Sequence, residues 1–128
     1  MLGPLRNWAL AGGVLIGVSA GAILMTPTIA TDALFLGERP EDMADGDALN
    51  LLPFEFFPHL SDDAAYLPAL LRYSAATPRP ILACNDDDAI VVANGRIECF
   101  GKPIWIKGGV VTQATDIALS DRFFSQPD

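Results

Sequence analysis

Positive charge is scarce in this chain. Eight Lys and Arg stand against sixteen Asp and Glu, a formal net charge of −8. An acidic body of this kind repels phosphate backbones, which excludes nucleic acid as a partner. Histidine occurs once, as His59, and a lone histidine without an evident nucleophile or acid pair gives little ground for catalysis. Cysteine is limited to Cys84 and Cys99, so C-x-x-C and C-x-x-C-H are absent. No Walker loop or H-E-x-x-H occurs, and no G-x-S-x-G nucleophile turn is assigned. Asp86, Asp87 and Asp88 do not supply the alternating ligands of a calcium loop, and Asp45-Gly46-Asp47 lacks the D-x-D-x-D-G spacing. Neither a metal nor a cofactor is expected.

Charge is also missing near the amino terminus. From Asn7 to Thr31 no side chain is ionisable, and the eighteen residues from Trp8 to Met25 are apolar or small throughout. At helical rise they would cover about 27 Å, close to the hydrocarbon thickness of a bilayer. The run predicts a single transmembrane helix over 7–26, with residues 1–6 cytoplasmic because Arg6 and the terminus are positive while the other flank is acidic. Glycine is a poor helix former, yet Ala9, Gly13, Gly17 and Gly21 are spaced four apart. In a membrane such a line is a helix-packing strip for another polypeptide. The alternative is a cleaved secretory signal, with Thr28 and Ala30 at the small-residue positions.

Beyond the run, residues 27–60 are punctuated by Gly and Pro and predict an extended linker or docking segment. Within it "LLPFEFFPHL" crowds Phe54, Phe56, Phe57 and Leu60 between and beside prolines. Those rings either pack under the domain's own sheet or dock on a partner's surface or the lipid interface.

Residues 61–128 predict a small α+β domain on the periplasmic or equivalent external side. Ser61 to Thr77 is helical, interrupted at Pro68. Five short β-prone runs follow: Ile81 to Cys84, Ala89 to Ala93, Arg96 to Phe100, Ile104 to Ile106 and Val110 to Gln113. Asn94-Gly95 between two of them demands a two-residue turn that sets Val92 opposite Ile97 and Ile90 opposite Cys99. The first run laid alongside brings Cys84 to Cys99, and two cysteines in an exported domain predict a disulfide. Asp116 is placed to cap a short terminal helix from which Ile117, Leu119 and Phe123 cover a sheet edge.

The fold class expected from sequence is therefore one N-terminal transmembrane helix plus a small α+β extramembrane domain of short helices and an antiparallel β-meander. The function expected is that of a non-catalytic, single-pass accessory or assembly subunit. Its partners would be other membrane-protein subunits and the lipid bilayer. The alternative is a secreted, periplasmic, disulfide-bonded binding or inhibitor module released after Ala30. A periplasmic hydrolase depending on His59 is the third reading.

Overall fold

The glycine-rich opening does not make one rod. In the computed structural model, which describes residues 2–12, 20–23, 25–42, 48–120 and 122–124, helix α1 covers Leu2–Leu10. The chain then turns at Ala11 and Gly12, where φ is 106°. Glycine alone takes that conformation without strain, and an α-helix cannot run through it. Helix α2 is only Ala20–Ile23. A span needs about 20 residues, and among the described residues no helix is long and apolar enough to cross a membrane. This corrects the transmembrane helix expected over 7–26.

After α2 the chain folds back on the body. Leu51 N donates to Met25 O at 2.9 Å and Asn50 N to Thr26 O at 3.0 Å, so residues 25–28 lie beside 48–51. The Thr26 hydroxyl turns back on Ile23 O at 2.7 Å and closes α2. A 3-10 turn follows at Ala30–Leu36, ended by Gly37 in the left-handed region. Thr31 Oγ1 donates to Phe56 O at 2.7 Å and ties this turn to the first strand.

That strand, β1 (Glu55–Phe57), leads through helix α3 (Tyr66–Ala76) to a parallel neighbour, β2 (Ile81–Ala83), in the register Glu55↔Ile81 and Phe57↔Ala83. Pro68 falls in the first turn of α3, where a missing N–H costs nothing. The β-hairpin β5 (Ile104–Lys107) and β6 (Val110–Gln113) adds antiparallel strands, giving the order β1-β2-β5-β6. Among the described residues a second sheet holds β3 (Ala89–Ala93), β4 (Arg96–Phe100) and β7 (Ile117–Ala118), all antiparallel. Asn94 and Gly95, at φ 54° and 72°, make the turn between β3 and β4. The register is the one their chemistry requires, with Val92 opposite Ile97 and Ile90 opposite Cys99.

Strand β2 is buried on both faces. Ile81 and Ala83 pack with Phe57, Leu70, Tyr73 and Ile106 beneath α3. Leu82 points the other way, into Phe54, Ile97 and Trp105, where the second sheet and the terminal Phe123 and Phe124 close over it. A strand covered on both sides reads as a continuous apolar run instead of an alternating one. Phe54 and Phe57 are therefore completely buried in the protein's own core, one in each cluster. Phe56 and Leu60 are partly buried.

Two further expectations are corrected. Strand β2 pairs with β1 and β5 and not with the β3-β4 hairpin. Cys84 follows β2 while Cys99 lies in β4; the two share one apolar cluster, yet both are free thiols and the expected disulfide is not formed. Near the carboxyl end, Asp116 caps no helix. Its carboxylate accepts a hydrogen bond from Cys99 N at 2.8 Å, and Ile117 pairs with Ile97.

Candidate functional site

Parallel pairing puts the carboxyl ends of β1 and β2 side by side, the place where open α/β sheets present their chemistry. Pairing continues past both strands: Cys84 N donates to Phe57 O at 2.9 Å, and Leu60 N donates to Cys84 O at 3.1 Å. The two loops that follow are thus held together by backbone. His59 stands in the first of them, at φ 60° and ψ 36°. A left-handed histidine is uncommon, and such a conformation persists where the surroundings over-determine it.

Asp86 stands in the second loop. His59 Nδ1 lies 2.7 Å from Asp86 Oδ1, while Asp62 Oδ2 is 3.8 Å from the same nitrogen. A carboxylate on Nδ1 favours the proton there and leaves the lone pair of the neutral ring on Nε2, the form a general base needs.

The Asp86 loop is braced from inside. Asp88 accepts two backbone hydrogen bonds, from Asn85 N at 2.8 Å and from Lys102 N at 2.7 Å. Asn85 Oδ1 accepts from Ser61 N at 2.8 Å and so fastens the acid's loop to the histidine's. Neighbouring carboxylates therefore act differently, for Asp86 meets the imidazole whereas Asp88 shapes the turn. Gly101, at φ 84°, makes room for that turn, since a Cβ there would lie 2.3 Å from Asp88 Oδ1 and 2.9 Å from Asp87 O. Gly101→Ala is expected to lower folding stability by about 1–3 kcal/mol. Urea-denaturation midpoints of the two proteins check it.

The thiols are poor candidates for a nucleophile. Burial pushes Cys84 up to about 12, helped by the Asp88 carboxylate and by Cys99. Burial raises Cys99 as well, with a contribution from Asp116. Both stay protonated at neutral pH, and the thiol form does not attack.

A better candidate for a nucleophile is found in the sequence of the opening run. Gly17-Val18-Ser19-Ala20-Gly21 has the G-x-S-x-G spacing, which corrects the reading that no such turn is present. The motif carries meaning only where a strand-like run precedes it and a helix follows. The apolar Val14 to Val18, β-branched at every second position, meets the first condition in sequence, and α2, beginning at Ala20, meets the second. Gly13, Gly17 and Ser19 lie outside the described residues. Of the expected packing strip, Ala9 belongs to α1 and Gly21 to α2, two separate helices. Helix α2, which opens with the residue after Ser19, rests against β1, the strand that leads to His59.

No curated protein matches the chain. Residues 1–100, which hold Ser19, His59 and Asp86, match the family described as Peptidase family S51. That match overturns the expectation of a subunit without chemistry of its own. The membrane-embedded accessory role and the single-pass location fall with it, because the helix they required is not formed among the described residues. The chain belongs to peptidase family S51.

Proposed function

We propose that this protein is a serine peptidase in which Ser19 is the nucleophile, His59 the general base and Asp86 the group that orients the base. The observation that carries the proposal is the 2.7 Å separation of His59 Nδ1 and Asp86 Oδ1 at adjoining strand ends. His59 Nε2 takes the Ser19 hydroxyl proton as Oγ adds to the peptide carbonyl. The N–H of Ala20, next after the nucleophile, is the natural donor to the oxyanion that forms. His59 then passes its proton to the leaving amine, the C–N bond breaks, and an acyl ester remains on Ser19. Water, deprotonated by His59, hydrolyses that ester and restores the hydroxyl. The chain order Ser, His, Asp is one of several in which this constellation recurs on unrelated folds.

An activity-based fluorophosphonate tests the assignment before any substrate is known. The intact protein is expected to gain one adduct at Ser19, mapped by peptide mass spectrometry. Ser19→Ala should remain unlabelled, and His59→Gln should be labelled at least about a hundredfold more slowly. An adduct at a different serine, or none on the folded wild type, would refute the mechanism.

A further inference from the structure

We infer that Asn85 is a positioning residue for the base: its side-chain carbonyl holds closed a bulge that turns the His59 imidazole toward Asp86. The inference rests on the serine-peptidase reading and adds how that site keeps its base aimed.

Along a parallel ladder a residue bonds, through its N–H and its C=O, to the two residues that flank its partner. Cys84 begins in that pattern, since Cys84 N donates to Phe57 O. The next donor in register would be His59 N, yet it is Leu60 N that reaches Cys84 O, at 3.1 Å. An extra residue has therefore entered after β1, and His59 absorbs it at φ 60° and ψ 36°. Bulges of this kind recur beside active sites, where they re-aim a side chain. In unbroken register the ring would follow the strand's alternation. Out of register, its Nδ1 comes within 2.7 Å of Asp86 Oδ1.

A left-handed backbone is costly for histidine and has to be held from outside. Leu60 N on Cys84 O is the first tie. The second uses a side chain, for Ser61 N donates to Asn85 Oδ1 at 2.8 Å. Asn85 is itself pinned at both backbone groups: its N–H donates to Asp88 Oδ2 at 2.8 Å, and its C=O accepts from Asp88 N at 3.0 Å. The carboxamide thus spans from the residue before Asp86 to the second residue after His59. Any residue at position 84 could make the backbone tie, whereas the tie to Ser61 N needs an acceptor oxygen on the side chain of residue 85. This bond lies at an exposed position, so its loss should show in the aim of the ring more than in global stability.

The experiment uses the full chain, whose single histidine gives one pair of imidazole signals in ¹⁵N NMR. In alkaline solution, where the ring is neutral, wild type is expected to carry the proton on Nδ1, facing Asp86. Asn85→Ala should shift it toward Nε2 and lower kcat about tenfold for any peptide the wild type cuts, with KM changed less than about twofold. Asn85→Asp keeps the acceptor oxygen and should retain the Nδ1 proton, with kcat within about threefold of wild type. Asn85→Ser, whose hydroxyl falls short of Ser61 N, should repeat the tautomer change and carries the test if Asn85→Ala costs the fold. A wild-type ring protonated on Nε2 overturns the inference, as does an Asn85→Ala ring that keeps the wild-type tautomer, even with kcat reduced. An Asn85→Asp protein no better than Asn85→Ala overturns it too. Fluorophosphonate labelling in parallel separates the two levels. Wild type labelled at Ser19 with no tautomer change in Asn85→Ala sinks the positioning role alone; wild type that is not labelled sinks the mechanism and the positioning role with it.

Discussion

Replacing Asp86 with asparagine is expected to slow peptide hydrolysis by about 10³- to 10⁴-fold, in kcat more than in KM. An asparagine amide at 2.7 Å from Nδ1 can turn its NH₂ toward the ring, which places the imidazole proton on Nε2 and removes the lone pair that must accept the serine proton. The developing imidazolium also loses its carboxylate. Asp62 is too distant at 3.8 Å to replace it, and Asp62→Asn alone should change kcat by less than about fivefold. Folding should hardly notice either change, because the Asp86 side chain is 76% exposed. Kinetics on any peptide the wild type cuts, alongside urea midpoints, check both halves of the expectation. A fall in kcat below about tenfold would remove Asp86 from the orienting role.

What could be seen in the sequence was local chemistry. Asn94-Gly95 admits few backbone conformations, so it alone dictated a hairpin and its register. Strands β3 to β6 were bounded by glycine, proline and aspartate in ways that short-range rules capture. Strand β1 was not legible. Its three residues lie between Pro53 and Pro58, too short a run to show a period, and the fully buried Glu55 looks like a solvent-facing charge. Missing β1 concealed the parallel β1-α3-β2 unit. Without that unit nothing announces that His59 and Asp86 are neighbours, since they are separated in sequence by a whole helix. The opening run misled for a different reason. Apolar content alone does not establish a membrane helix, and the smaller signals in the sequence were paired glycines at 12 and 13, β-branched residues at alternate positions, and a serine set between glycines two residues away on either side.

The other large effect concerns stability. Glu55 is fully buried, with Tyr73 Oη donating to Oε1 at 2.7 Å and with Arg79 Nε and Thr77 Oγ1 each 3.5 Å from Oε2. Burial holds this carboxyl above its ordinary range, although Tyr73, Arg79 and Thr77 all pull it down. Burial and the adjacent carboxylate push the Tyr73 phenol up in turn, so it remains a donor. Glu55→Ala is expected to cost about 3 kcal/mol, since it empties a core position and strands the Tyr73 hydroxyl; Arg79 can still reach water. Glu55→Gln isolates the charge. With the folded pKa raised, the folded state binds more protons, so this group's contribution is complete below the unfolded value near 4.5 and is lost as pH climbs through the folded one. Glu41 acts in the opposite sense. It is desolvated, but bonded to Arg72 and held below the ordinary range, so its contribution is lost as pH falls. The difference between wild type and Glu55→Gln cancels Glu41 and every other common group. The variant should therefore gain stability relative to wild type as pH rises from about 4.5, read from urea midpoints at closely spaced pH values. A difference that stays flat, or shrinks, across that range would mean that the network of Tyr73, Thr77 and Arg79 fully offsets the burial of the charge.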